Sequence, residues 1–223
     1  MPTDHTRTAI LNAAERLYAE RGFADVTLRD IVAVAGVNLA AVNYHFGSKD
    51  ELIAELFVTR SLATNCERLN ELKAAEAAGS GRAGIDAILR ALVGPTLRGC
   101  LGPDRERSAA ARFMIRASIE SVPPIRRIKN REIDHLRKFA AAMRRSLPAR
   151  DEVELYWGLH FALAMAHQTI RDSERLTKLS EGSCDLNDVQ GIIERIVAVS
   201  VLALTGDEAD RKAPAKLVAR DAR

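Results

Sequence analysis

Three glycines, Gly22, Gly36 and Gly47, constrain this chain more than any other feature, because they punctuate stretches whose apolar residues recur at helical spacing. Residues 7–21 carry Ile10, Ala13, Ala14, Leu17 and Tyr18, an i, i+3, i+4, i+7, i+8 stripe that predicts a helix. Gly22 stands where that helix must end, with Phe23 following as a packing residue. Thr27 then precedes Leu28, Ile31, Val32 and Ala35, and Asp30 falls three residues after it, the pattern of a capping box. Gly36 breaks this second short helix, Val37-Asn38 makes a tight turn, and Leu39 to Phe46 forms a third short helix closed by Gly47. Ser48, with Glu51 three residues on, caps a long fourth helix running from about Lys49 to about Ala78 through Leu52, Leu56, Phe57 and Leu69.

Gly79-Ser80-Gly81 is the clearest linker, and helices are expected beyond it at about 83–98, 104–121, 124–146, 150–175 and 186–205. Gly99–Pro103, Pro123-Pro124 and Pro148 separate the first four, since proline cannot continue a helix. The last break lies around Gly182, with Asp185 as the expected cap of the final helix. No segment shows strand alternation, and aromatic residues are 4% against 47% apolar overall. An all-α chain follows, with an N-terminal three-helix unit ahead of a larger helical bundle. The domain expectation is a head over 1–50, a bundle over 51–208 and a disordered tail over 209–223.

The longest apolar candidate, Ile196 to Leu204, is too short to span a bilayer, and the N-terminus lacks the layout of a secretory signal. Cys66, Cys100 and Cys184 are isolated and odd in number, which fits a reduced cytoplasm better than a disulfide framework. His160 and His167 lie seven apart without a third ligand at metal spacing, and read as interface or core histidines. No nucleophile elbow, Gly-rich phosphate loop, His-Glu-x-x-His or Cys-x-x-Cys is present. Catalysis, metal and cofactor are therefore not expected, and the chain is expected to be soluble and cytoplasmic. The competing classes are a DNA-binding protein without ligand control and an all-helical enzyme.

Three short helices, the second and third joined by a Gly-containing turn, are what a helix-turn-helix requires. The third must enter a major groove about 12 Å wide, so its outer face must be small and polar. With Val42 and Phe46 placed inward, Leu39, Ala40, Asn43 and Tyr44 fall outward. Asn43 can make paired hydrogen bonds to a base, while Tyr44 can reach a phosphate or a thymine methyl. Thr27 and Lys49 stand at helix N-termini, where exposed amides favour phosphate. Net charge argues against this reading: residues 1–50 hold 5 Lys/Arg against 6 Asp/Glu, while residues 82–150 hold 16 against 6.

The stretch from Thr27 to Leu52 resembles the signature of the TetR family, in the AcrR-like form of its helix-turn-helix. Ala35-Gly36-Val37, Tyr44-His45-Phe46 and Ser48-Lys49 carry the resemblance, which extends over about residues 7–57. It implies a homodimeric, ligand-responsive repressor with no enzymatic activity, bound to a double-stranded operator and released by a small-molecule effector. By position in the motif, Thr27, Tyr44, His45 and Lys49 would hold phosphates, and Asn38, Leu39, Ala40 and Asn43 would face bases. A polar residue is frequent in the family where Leu39 and Ala40 stand, so these two would read thymine methyls.

The helices at 150–175 and 186–205 are apolar nearly all round and so must be buried twice, which makes them the expected dimer surface. A two-fold dimer implies a palindromic operator. The wording of Val37 to Lys49 resembles a subgroup that includes fatty-acid-responsive repressors. Together with the mid-chain arginines, it points to an acyl chain with an anionic head, a fatty acid or acyl-CoA. Phe113, Met114, Arg116, Phe139 and Trp157, large or basic residues on mid-bundle helices, are the expected lining. The same arginines also read as a solvated helix face.

Overall fold

The structure is a computed structural model that describes residues 2–103, 108–120 and 122–206; the expected tail over 209–223 lies outside the described residues. Among the described residues there are eleven helices and no strand. The N-terminal unit is α1 (Pro2–Arg21), α2 (Leu28–Ala35) and α3 (Leu39–Phe46), and α4 (Lys49–Ala78) leads from it into the bundle. The caps follow the local sequence. Thr27 Oγ1 accepts from Asp30 N and the Asp30 carboxylate accepts from Thr27 N, a complete capping box for α2. Gly36 closes α2 at φ +67°, a left-handed conformation that costs a residue with a Cβ about 1 kcal/mol or more. At α4 only half of the expected box forms. Ser48 Oγ accepts from Glu51 N, but the Ser48 amide donates to Phe46 O, leaving the Glu51 carboxylate to take the Ser48 hydroxyl.

The bundle continues as α5 (Ile85–Leu101), α6 (Ala109–Ile119), α7 (Pro123–Arg131), α8 (Asp134–Ser146), α9 (Glu152–Arg171), α10 (Ser173–Leu179) and α11 (Val189–Thr205). Four expectations are corrected. The helix expected over 124–146 is two, broken at Glu132–Ile133. Ile125 and Ile128 of α7 pack toward the head while Phe139 and Met143 of α8 pack into the bundle, so the chain must turn between them. The helix expected over 150–175 stops at Arg171 and restarts as α10. Helix α5 runs through Gly99 to Leu101. The final helix is capped by Asp188, whose carboxylate accepts from Gly191 N at 2.8 Å, while Asp185 accepts from Asn187 N in the preceding turn.

Two apolar cores organise these helices. One gathers Ile10, Tyr18, Phe23, Ile31, Val42, Phe46, Leu52 and Leu56 with Phe113 and Ala117 of α6 and Ile125 of α7. The head is therefore not sealed off: α6 and α7 complete its core, and Phe113 meets Phe23 edge-on at 5.5 Å. The second core joins α4, α5, α8, α9 and α11 around Leu92, Phe139, Met143, Leu159 and Ile193. A Cβ at Gly158 would fall on Leu204, so glycine there lets α9 and α11 pack closely. Among the described residues, no helix is long and apolar enough to cross a membrane.

Candidate nucleic-acid interface and bundle cavity

Helix α3 is held to the head by Val42 and Phe46, both buried, and presents Leu39, Ala40, Asn43 and Tyr44 on its open face. Tyr44 is 80% exposed, an unusual setting for a large ring, and rests edge-on against His45 at 5.1 Å. His45 is half-buried between Tyr44 and Phe46. Asn38 caps α3: its Oδ1 accepts from Ala41 N at 2.9 Å, which leaves both amide protons and one lone pair of the oxygen uncommitted. The Thr27 hydroxyl is engaged on both sides, donating to Asp30 Oδ2 at 2.6 Å and accepting from Asp30 N at 3.2 Å. Those bonds hold the Asp30 carboxyl below the usual carboxylate range. Lys49 Nζ donates to Phe23 O at 2.7 Å and ties α4 to the turn after α1; an ammonium has two further protons to offer. The eight residues expected to meet DNA thus lie on α3 and on the two helix starts beside it.

Five mid-chain arginines pair with carboxylates on other helices, which offsets part of the positive excess. Arg90 meets Glu194 and Asp86, Arg98 meets Glu67 and Glu71, and Arg145 meets Glu76. Arg127 reaches Asp50, and Arg144 reaches Glu152. The solvated-face reading of these arginines is the one the geometry supports.

A cavity of about 320 Å³ opens between α4, α5, α6, α7 and α9. Of the five residues expected to line a ligand site, Met114 alone borders it. Phe113 points to the opposite face of α6, into the head-side core. Phe139 is fully buried in the bundle core. Trp157 is 52% exposed on the outer face of α9, stacked on Phe161 at 5.3 Å. Arg116 reaches out of the bundle to the end of α1, donating to Ala19 O, Glu20 O and Glu120. Glu120 in turn accepts from Phe23 N at 3.0 Å. Helix α6 is therefore a cavity wall on one side and a clamp on the head on the other.

The cavity residues that sequence reasoning missed are Arg68, Lys129 and His167. One signal was present. Phe57, Ser61, Thr64, Arg68 and Leu72 follow one another at three- or four-residue steps, so a charge interrupts the inward stripe of α4. Burial draws the Arg68 guanidinium down to about 10, leaving it charged at neutral pH. Burial and the Lys129 and Arg68 charges hold His167 down to about 4, and burial with Arg68 does the same to His135. Burial also pushes the Cys100 thiol up to about 11.

A helix-turn-helix carried on a helical bundle, with an open recognition helix and an internal cavity, defines a bacterial-regulator architecture. Comparison with known proteins bears on the same two parts. Residues 10–56 match the family described as bacterial regulatory proteins, tetR family, and residues 90–201 match the tetracyclin repressor-like C-terminal domain. The chain belongs to the tetR family. The HTH-type transcriptional regulator TtgR of Pseudomonas putida is 47% identical over 51 residues, 23% of this chain and 24% of that protein. The HTH-type transcriptional repressor Rv3405c of Mycobacterium tuberculosis is 45% identical over 71 residues, 31% of this chain and 37% of that one. The matched region thus spans about a quarter to a third of the length of these curated relatives. In fold, SmeT, the repressor of the Stenotrophomonas maltophilia multidrug efflux pump SmeDEF, aligns at TM-score 0.63 and 20% identity over 91% of this chain and 92% of that one. NalD of Pseudomonas aeruginosa aligns at TM-score 0.56 and 23% identity over 89% and 96%.

Proposed function

We propose that this protein is a ligand-responsive transcriptional repressor that binds a palindromic operator as a homodimer and leaves it when a small molecule enters the bundle. The observation that carries the reading is the open face of α3, where Leu39, Ala40, Asn43 and the largely exposed Tyr44 face solvent. Asn43 is placed to read a base edge, and Thr27, Tyr44, His45 and Lys49 to position phosphates. In this reading residues 1–50 form the DNA-binding unit and 51–208 the effector and dimerisation unit, working in the cytoplasm where the operator lies. TtgR and Rv3405c, matched over 51 and 71 residues, carry the names of a regulator and a repressor.

The dimer face is formed by α9 and α11. Val153, Tyr156, Trp157 and Phe161 on α9 and Val199 and Leu202 on α11 are each at least half exposed, an apolar surface that a second copy would cover. A groove of about 650 Å³ beside it, lined by Met165, Leu176 and Val199, adds to that face. Two-fold pairing there sets two copies of α3 at a fixed spacing, which a palindrome would match. Helix α6 supplies the coupling: a guest that shifts Met114 and Ser118 at the cavity wall moves Arg116 and Glu120 against the end of α1. A few kcal/mol of differential affinity suffices to change operator occupancy.

The test is selection from random duplexes with the full-length protein, followed by titration across salt. The expected outcome is a two-fold-symmetric site bound by two chains, with affinity falling steeply as salt rises. Recovery of asymmetric sequences bound by a single chain would overturn the dimeric mechanism.

A further inference from the structure

Arg68 brings a positive charge into the bundle without a negative charge to meet it. The residue is 7% exposed. Its Nη1 donates to Asn65 Oδ1 at 3.1 Å and its Nη2 to Thr96 Oγ1 at 2.5 Å, while buried Nε has no hydrogen-bond partner. A guanidinium has five N–H donors, so two neutral acceptors leave most of its capacity unused. Among the described residues lining the cavity none is acidic, and Arg60 at its edge is already paired with Glu15. A second cation faces the same space. Lys129 as a whole is exposed, but its ammonium donates to Ala117 O at 3.3 Å and stands 5.6 Å from the Phe57 ring centroid.

An unpaired buried charge is costly to a fold, and it is retained where something pairs with it. Arginine is suited to a planar, two-oxygen acceptor, since its Nε and Nη2 edge matches a carboxylate. The remaining wall is apolar, with Phe57, Pro95 and Met114. At about 320 Å³ the space is at the small end of ligand cavities and cannot enclose a coenzyme A thioester. His167 takes up a proton reluctantly, first because it is desolvated by burial and further because Lys129 and Arg68 already make the site positive.

We propose that this cavity binds a compact organic carboxylate, aromatic or short and branched, with its carboxylate on Arg68 and its apolar body against Phe57 and Met114. This is the effector of the repressor described above, and that second statement rests on the proposed function. Arg68, rather than any of the mid-chain arginines, selects for the anion, and Thr96 and Asn65 hold the guanidinium in place.

The test is calorimetric titration of the full-length protein with benzoate, phenylacetate, 3-phenylpropionate and 2-methylbutyrate, each beside its primary amide, and with palmitate and inorganic phosphate. At least one of the four carboxylates should bind ten times or more tightly than its amide. Arg68→Met should weaken that binding at least thirtyfold and Arg68→Lys less. If Arg68→Met does not fold, Thr96→Val is the second variant, with a loss of about threefold or more expected. Equal binding of acid and amide, unchanged binding by Arg68→Met or, where that variant fails, by Thr96→Val, or binding by none of the four overturns the site. Binding of palmitate or phosphate alone overturns the ligand class. The same carboxylate should release operator DNA at concentrations that track its titration. Arg68-dependent binding with unchanged DNA occupancy would remove the effector role and leave the site. Failure of the unliganded protein to bind any operator would instead overturn the repressor reading without touching the titration.

Discussion

Each side chain proposed to meet DNA is constrained by what its other polar atoms already do. The Asn38 carbonyl oxygen accepts from Ala41 N and the Thr27 hydroxyl donates to Asp30, so in the proposed interface both would meet DNA with part of their capacity already committed. Asn43 has no such commitment to a cap and stands exposed in the middle of α3. Replacing Asn43 by Ala should relax preference at one base step, at a cost of about 1–3 kcal/mol for the preferred site and little for random duplexes. Replacing Lys49 by Ala should weaken binding to all duplexes alike and lower the salt slope by about one. Competition binding at two or more salt concentrations separates them, and an equal loss on specific and random DNA for Asn43→Ala would make Asn43 a backbone contact.

At the scale of elements, α6 matters more than its length suggests. Its apolar Phe113 and Ala117 belong to the head core, its Met114 to the cavity, and its Arg116 and Glu120 to the turn after α1. Arg116→Ala with Glu120→Ala should leave DNA affinity within about threefold while reducing the effector's influence on it, because the proposed coupling runs through that clamp and the proposed DNA-contacting face does not. Titration of operator binding with and without effector measures this, and undiminished coupling would place the path through α4 instead. Helices α9 and α11 make the other element-scale prediction. Leu202 is 71% exposed in one chain, so Leu202→Glu should leave the protomer folded while an acid facing its symmetry mate yields monomer. Sedimentation velocity decides it, and an intact dimer of the variant would move the interface elsewhere.

At the scale of the molecule, two partly buried histidines set an acid limit. Burial holds His135 and His167 at about 4 in the folded protein, against about 6.5 when unfolded. Below 6.5 the unfolded chain therefore takes up protons that the folded chain refuses, and stability falls as pH drops from 6.5 toward 4. Both side chains are partly exposed, so the loss by pH 5 is about 1–2 kcal/mol for the two together. Thermal melts at pH 7 and 5 should show a lower midpoint at pH 5, with His167→Gln reducing the difference. An unchanged difference in that variant would place the acid sensitivity in other groups. A carboxylate bound on Arg68 should also reduce the difference, since it offsets the charge that helps keep His167 neutral.

The head was legible residue by residue. The glycine positions, the Thr27–Asp30 box and the Val42–Phe46 inward pair are local facts, decided by backbone conformation and a 3.6-residue period within one turn or two. The all-helical class was legible for the same reason. The cavity was not, because a lining is a meeting of five helices distant in sequence, and size or charge on one helix does not say which face it turns inward. Arg116 and Trp157 look like cavity residues along the chain, yet one clamps the head and the other faces outward. Arg68 shows the converse, since residues 51–81 hold 3 Lys/Arg against 5 Asp/Glu and their composition gives no hint of an anion site. Charge counted along a chain sums groups that tertiary packing pairs off, as Arg90 with Glu194 and Arg98 with Glu67 and Glu71. Only the folded bundle determines which cation is left buried and unmatched.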